Sequence, residues 1–417
     1  MKTYKIKYHH YVIMYDYAII GGGVSGLNMY LELLKKTQNI VLLEKQSTFG
    51  GRIYQYEENN LSFPAGGARF NRNHKRVIKL LKKYHLLDFR KDRGIDSSID
   101  FIDAKGEFGP KFNNKTGFHY IAKVIKAAKQ RKDKDELRRY TFLEFAYLHL
   151  RKDEVDFLLE ASGYSGQLKH MNMFDAYNLF TNGIRTDIPF YAGYFHLLVE
   201  EMVKELRNKG ARLRSSANVN HVTQKEGHFD ISYNSTLIHA ERIVFCIPKP
   251  ALLKFSLLHS VKPLIEKSLS CKQLCRIYAK FPESDIWFKD IGKTVTNNPL
   301  RYVIPMNKEN GLIMISYTDD DHTNYWKKYT TQNQLKKQIV NLVKQTFNKD
   351  VEMPEKVWVF HWDCGVGYWK KGVHSEKIAE YLANPIQNIY ICGENYSLQQ
   401  SWVEGALESC ERVLQYI

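Results

Sequence analysis

The chain has 417 residues, 44% of them hydrophobic, with 61 Lys and Arg against 45 Asp and Glu and a formal net charge of +16. This length and apolar content can bury a large core in two or three structural units. Its six cysteines, Cys246, Cys271, Cys275, Cys364, Cys392 and Cys410, show no CxxC pair or Cys/His ligand spacing, which sets aside a zinc site and a disulfide framework, and no run nears the roughly 18 apolar residues of a membrane span.

Residues 1–15 are basic and aromatic but lack the apolar stretch and small-residue cleavage site of a secretory signal, so a soluble, intracellular protein is expected. An apolar strand from Asp16 then feeds the turn Gly21-Gly22-Gly23-Val24-Ser25-Gly26, a helical stretch follows, and a second apolar run ends on Glu44. This is the order of a dinucleotide site, with the acid roughly 20 residues beyond the turn. Gly21 permits the reversal, Gly23 lets a pyrophosphate approach the main chain, and Gly26 lets the helix pack on the sheet. The helix N-terminus presents its amides to phosphate. Glu44 suits a ribose diol and would repel a 2′-phosphate, which disfavours NADP.

Lys45 follows Glu44, and then Gly50-Gly51-Arg52. Here the chain resembles the flavin-containing amine oxidase superfamily, whose members place a Gly-Gly-Arg loop around the pyrophosphate of FAD. The next segment, Gly66-Gly67-Ala68-Arg69, resembles the turn of L-amino-acid oxidases that passes the flavin and whose arginine holds the substrate carboxylate. A guanidinium matches a carboxylate with two parallel hydrogen bonds. An internal acid or a flavin phosphate is the other partner open to Arg69.

Two stretches, 72–93 and 123–139, carry much of the positive charge at helical spacing and read as solvated faces. Nonspecific attraction to nucleic acid follows from such charge at low salt, although no recognition motif accompanies it. Helical patterning is dense up to about residue 187, where the resemblance places part of a substrate domain. Alternating runs return from Pro189, and the resemblance puts the backbone of Val219 at the adenine.

A strand-rich region extends to about Val357 and should floor the substrate site. Within it Arg276-Ile-Tyr-Ala-Lys280-Phe-Pro resembles a family segment in which lysine, where this chain has Arg276, holds a water against the flavin. Arg276 can fix a water but cannot surrender its proton. Lys272 lies on the same strand face, further along. Tyr317 resembles the family tyrosine that shares the substrate carboxylate, though a strand-end tyrosine is also an ordinary packing residue.

Near the C-terminus, a buried-strand pattern ends in Gly393-Glu394, and Ser401-Trp402-Val403-Glu404-Gly405-Ala406 opens the last helix. The resemblance puts Glu394 at the pyrophosphate and ribityl side, Ser401, Val403 and Ala406 at the flavin, and Trp402 as an aromatic plane flanking both flavin and substrate. Trp358, Trp362 and Trp369 read as core. Residues 396–400 contain no cysteine, so the flavin is expected to be noncovalent.

The expected fold is therefore α/β: a discontinuous Rossmann-like FAD-binding domain from segments 1–90, 188–265 and 358–417, with an α+β substrate domain from 91–187 and 266–357. The resemblance implies oxidation of an amine, foremost an L-amino acid, by hydride transfer to the flavin. The imine would hydrolyse to a keto acid and ammonia, and oxygen would yield hydrogen peroxide. An amine or polyamine oxidase, a flavin dehydrogenase with another acceptor, and a basic packaging protein with inert FAD are the alternatives. A small amine or amino acid is the expected partner, and homodimer formation stays open.

Overall fold

The computed structural model describes residues 14–87, 98–183 and 189–417. Strand β1 (Met14–Ile20) leads through the glycine turn into helix α1 (Val24–Leu33) and returns as β2 (Ile40–Leu43). A hairpin of β3 (Gln55–Glu58) and β4 (Leu61–Pro64) precedes β5 (Arg69–Asn71) and α2 (Lys75–Lys83). After β6 (Asp100–Ile102) come five helices, α3 (Gly117–Lys129), α4 (Phe142–Tyr147), α5 (Lys152–Ala161), α6 (Gly166–His170) and α7 (Met173–Asn178). The chain then forms β7 (Phe190–Ala192), α8 (Phe195–Asn208), β8 (Arg212–Arg214), β9 (Val219–Gln224), β10 (Phe229–Tyr233) and β11 (Thr236–Phe245). Next are β12 (Leu269–Lys280), β13 (Thr294–Thr296), β14 (Tyr302–Asn307), β15 (Leu312–Asp319), β16 (Lys356–Trp369), β17 (Ile389–Ile391) and a C-terminal helix, Val403–Val413.

Two sheets organise these elements. One has the order β8-β2-β1-β11-β10-β9 with β17 beside β11; the other runs β16-β12-β15-β14-β13-β6. Strand β1 lies between two parallel neighbours, β2 and β11, and its side chains alternate between two cores. Tyr17 and Ile19 pack with Leu27 of α1, Leu198 of α8 and Leu407 of the C-terminal helix. Tyr15, Ala18 and Ile20 face the opposite core with Phe229, Ile231 and Phe245. The first sheet therefore gathers strands from three distant stretches of the chain. Helices α3–α7 close around a third core that includes Phe142, Phe145, Phe157 and Leu158.

Two expectations are corrected here. The boundary at 357/358 falls inside β16, whose whole length pairs antiparallel with β12, from Lys280↔Lys356 to Leu269↔Trp369. The C-terminal segment joins the first sheet only at β17, because β16 is committed to β12 by register. The boundary at 265/266 likewise falls within the helix Lys262–Ser268. Those at 90/91 and 187/188 lie outside the described residues, as does residue range 1–13, most of the stretch inspected for a signal. The second correction concerns cysteine: Cys271 of β12 and Cys364 of β16 form a disulfide, with Cα atoms 5.2 Å apart. A separation of 93 residues gives no sequence signal for a bridge that arises from strand pairing. Among the described residues no helix is long and apolar enough to cross a membrane.

Candidate active site

The glycine turn sits at the end of β1, between the ends of β2 and β11. Gly21 has φ +106°, and a Cβ there would lie 2.6 Å from the Cys246 carbonyl oxygen. A Cβ on Gly26 would fall 1.9 Å from the Gly21 carbonyl oxygen, so α1 can start this close to the strand only with glycine. Gly23 is different: its φ is −72°, and the nearest atom to an added Cβ is 3.9 Å away. Its open side lies where Val24 and Ser25 begin α1, whose N-terminus has no side-chain cap. These amides suit an anion.

Glu44 is buried and anchored, its Oε2 accepting from the Gly22 N–H at 2.7 Å and its Oε1 from the Gln46 N–H at 2.8 Å. Lys45 beside it is exposed. The Ala217 and Ser216 N–H groups donate to the Glu44 and Gln46 carbonyls, which brings the chain just before Val219 alongside Glu44. The second glycine loop meets the first: the Gly50 N–H donates to the Gly22 carbonyl at 2.9 Å, and a Cβ on Gly51 would lie 3.3 Å from Gly23 Cα.

Arg52 ties this cradle to the far end of the chain. Its Nη1 donates to Glu394 Oε2 at 2.6 Å and to the Gly365 carbonyl at 3.0 Å. Glu394 also accepts from Asn395 Nδ2 and from the backbone N–H groups of Gly367 and Ser401. Within the protein its carboxylate thus positions Arg52 and the entry to the C-terminal helix. Gly393, at φ +131°, supplies the bend between β17 and this acid.

The turn from Gly66 to Arg69 lies against both. A Cβ on Gly66 would be 2.1 Å from the Arg52 carbonyl oxygen, and the Gly67 N–H donates to that oxygen. Val403 Cγ2 is the closest atom to the missing Cβ of Gly67, at 3.8 Å. Ala68 accepts from the Gly193 N–H, and Ala406 is buried one turn into the C-terminal helix. Trp402 packs between two aromatic neighbours. Phe190 stacks on it at 5.4 Å and 10°, and the His74 ring packs against it at 4.8 Å.

What Trp402 leaves without a partner is its indole Nε1, and Ser401 Oγ and both His74 ring nitrogens share that condition, all buried. Burial pushes the His74 imidazole down to about 4. Buried polar atoms need partners. Orphaned groups beside glycine faces that a Cβ would fill fit a flat, polar-edged dinucleotide of the flavin type. His74 and Phe190 were not anticipated; His74 follows the Arg69 turn closely in the chain but carries no signal of its own.

On the sheet side, two arginines converge. Arg276 is 9% exposed, and its Nη1 donates to the carbonyl of Pro64 at 3.1 Å and also to that of Gly66. Its Nη2 donates to Tyr317 Oη at 3.4 Å, and its guanidinium carbon stands 4.5 Å from the Tyr317 ring centre. Strands β12 and β15 impose this, since Arg276 and Tyr317 are direct cross-strand partners. Arg276 is thus fastened to the turn that leads to Arg69. Tyr317 lies inside β15, two residues before its end. Lys272 does not approach this place; it pairs with Asp320 at 3.0 Å.

Arg69 begins β5 and makes no hydrogen bond or ion pair with another described residue. Its charge acts on Tyr164, Tyr278 and Tyr302. Burial pushes the Tyr302 phenol up to about 12 despite the opposing pull of Arg69. Tyr164 meets Tyr302 at 4.6 Å and Tyr317 at 5.0 Å, ring centre to ring centre. These three tyrosines were missed. Tyr278 shares the strand face of Arg276 two residues away and could have been found by alternation, whereas Tyr164 and Tyr302 come from unrelated segments. Trp369 and Trp358 are core as expected, and Trp362 Nε1 donates to the Ala65 carbonyl at 3.0 Å.

A family model described as flavin-containing amine oxidoreductase matches residues 24–417. The flavin-containing amine oxidase of Danio rerio is 30% identical over 105 residues, which cover 24% of this chain and 20% of that protein. The match thus spans about a fifth of such relatives. YobN of Bacillus subtilis (strain 168), a candidate L-amino-acid oxidase, is 22% identical over 455 residues, with 95% of this chain and 93% of that protein covered. A cofactor-binding variant of putrescine oxidase superposes with a TM-score of 0.77 at 14% identity, covering 97% of this chain and 98% of the other. Cyclohexylamine oxidase from Brevibacterium oxydans IH-35A gives 0.73 at 15% identity, covering 96% and 98%. At these identities the likeness is one of fold.

Proposed function

The chain belongs to the flavin-containing amine oxidoreductase family, and from that premise we propose that it binds FAD noncovalently and oxidises the CH–NH2 bond of an L-amino acid. The observation that carries the choice of substrate is Arg69, a cation without a described hydrogen-bond or ion-pair partner, set among tyrosines beside the Gly66–Gly67 turn. A substrate carboxylate would complete it with two charge-assisted hydrogen bonds. YobN, similar over nearly the whole chain, favours the same class.

In this reading the flavin, when bound, supplies the hydride acceptor, and the released imine hydrolyses in water to a keto acid and ammonia. The chain's residues do the positioning. The α1 amides and Arg52 hold the pyrophosphate, Glu44 the ribose and the Val219 backbone the adenine. Ser401 Oγ, Trp402 Nε1 and His74 meet polar edges of the ring system. Arg276 fixes the height of the turn carrying Arg69, while Tyr317, itself held by Arg276, flanks the carboxylate. Strands β1, β2, β8–β11 and β17 with helices α1, α8 and the C-terminal helix make up the nucleotide-binding unit, with the helices α3–α7 and the second sheet as the substrate unit.

A second reading, an amine oxidase, is favoured by the named activities of the two structural neighbours, putrescine oxidase and cyclohexylamine oxidase. Anaerobic mixing of the yellow protein with L-amino acids and with the matching amines separates them. Bleaching of the flavin by amino acids is expected, and bleaching by amines alone refutes the proposal. Admitting oxygen and assaying peroxide then identifies the acceptor. Acid precipitation should release all flavin into the supernatant; a yellow pellet would refute noncovalent binding.

A further inference from the structure

Away from this site, the antiparallel pairing of β10 with β11 assembles three side chains whose linear spacing gave no sign of a metal centre. Asp230 and His239 are direct cross-strand partners, and His228 stands just before β10. Their neighbours Phe229, Ile231, Ile238 and Ala240 are buried in the core, so the alternation of the strands turns Asp230 and His239 to the opposite face of the sheet. His239 Nδ1 lies 2.5 Å and His228 Nε2 3.2 Å from the same oxygen, Asp230 Oδ1. All three candidate ligand atoms fall within 4.8 Å of one another.

We infer that His228, Asp230 and His239 form a binding site for a divalent transition-metal ion, with Zn2+ as the representative case. Nitrogen and oxygen ligands lie about 2.0–2.2 Å from zinc in a tetrahedral site. That spacing puts neighbouring ligand atoms about 3.3 Å apart, within reach of small side-chain rotations here. Two further observations point to a cation. Asp230 Oδ1 and His239 Nδ1 are shielded from solvent, face each other and make no hydrogen bond. A shared cation would give both atoms the partner they lack once the side chains open the 2.5 Å contact. In addition, His228 Nδ1 donates to the Glu226 carbonyl at 3.1 Å. That bond fixes the tautomer and leaves the Nε2 lone pair turned toward Asp230, the usual second contact of a metal-binding imidazole.

The donor set selects the metal class. Two imidazoles and one carboxylate suit zinc, copper or nickel better than calcium or magnesium, which prefer oxygen ligands. Lys225 Nζ is 3.9 Å from Asp230 Oδ2, the other oxygen, and leaves Oδ1 to the imidazoles. Three protein ligands leave a coordination position for water or for a group from outside the chain.

The test uses the flavin-loaded full chain, stripped with EDTA and titrated calorimetrically with ZnCl2. One Zn2+ per chain is expected, with affinity falling as pH drops, because metal displaces protons from imidazole. His239→Gln, His228→Gln and Asp230→Asn should each weaken binding by at least about tenfold, with flavin content and circular dichroism unchanged. Should a variant fold poorly, the parent protein supplies a second measurement. Zn2+ should protect His228 and His239 from carbethoxylation by diethyl pyrocarbonate, read by peptide mass. No Zn2+ uptake by the parent, stoichiometric binding that survives the triple substitution, or unchanged modification of both histidines would overturn the assignment.

Discussion

Replacing Arg69 with methionine puts the substrate assignment to its most direct test. No described residue pairs with the guanidinium, so Arg69→Met removes a cation without stranding an internal acid, and the loss should fall on whatever the arginine was meant to hold. Each charge-assisted hydrogen bond is worth about 1.5–3 kcal/mol, and a bidentate carboxylate takes two. Desolvation of both charges returns part of that, leaving about 2–4 kcal/mol. At about 1.4 kcal/mol per factor of ten, kcat/KM for an L-amino acid should fall about 30- to 1000-fold. Arg69→Lys should recover part of the loss, since an ammonium keeps the charge but lacks the planar fork. The matching amine without a carboxylate should change by less than about threefold, because it makes neither bond. Anaerobic stopped-flow reduction of the flavin measures both substrates on one scale. Equal losses for the two substrates, or no loss for the amino acid, would refute the reasoning. Loss of the flavin itself would place Arg69 on a cofactor phosphate.

Two glycines should separate folding from cofactor binding. Gly26→Ala drives a Cβ to 1.9 Å from the Gly21 carbonyl oxygen, so it should destabilise the chain by about 1–3 kcal/mol with or without flavin, seen as a lower Tm in both forms. Gly23→Ala meets nothing in the protein within 3.9 Å; it should leave the flavin-free Tm unchanged yet lose flavin on gel filtration, and full retention would refute the pyrophosphate placement. Arg276→Met leaves the Gly66 carbonyl without its donor, and a loss of about 1–3 kcal/mol is expected in denaturant titration. For pH, burial holds His74 near 4 in the folded chain against 6.5. The unfolded chain therefore binds the extra proton between those values, and stability is lost as pH falls from about 6.5 toward 4. Because the unfolded imidazole is only half protonated at pH 6.5, the drop from pH 6.5 to 5 is about 1.6 kcal/mol. His322, also pushed down to about 4 by burial, adds a change of the same sign. The difference between the parent and His74→Gln in urea unfolding at the two pH values isolates the His74 share, and parallel behaviour would refute it.

Much of the nucleotide-binding half was legible because its requirements are local. A reversal with φ +106° at Gly21 and the close approach of α1 at Gly26 admit one residue type, so the chemistry is written into consecutive positions. Glu44 was legible for a related reason, since the strand-turn-helix-strand unit fixes the distance to the acid. Glu394 was legible from its Gly-Glu motif, but its protein partners were not. Its partners Arg52, Gly367 and Ser401 come from three places in the chain, and only the assembled fold shows that its carboxylate ties them together.

Strand pairing accounts for most of what remained hidden. Register between segments far apart decides that β16 belongs to β12, that Cys271 meets Cys364, and that Asp230 faces His239; none of these leaves a pattern within a short window of sequence. The same physics reshapes Arg276. Read alone, it is a cation standing where a lysine is expected, free to hold a water. Placed opposite Tyr317 in β15, with the Pro64 and Gly66 carbonyls in reach, it commits Nη1 to the main chain of the turn that leads to Arg69 and Nη2 to the Tyr317 hydroxyl. Under the proposed function the two arginines play complementary parts, since Arg276 holds the turn while Arg69, without a described hydrogen-bond or ion-pair partner, is left to receive a carboxylate.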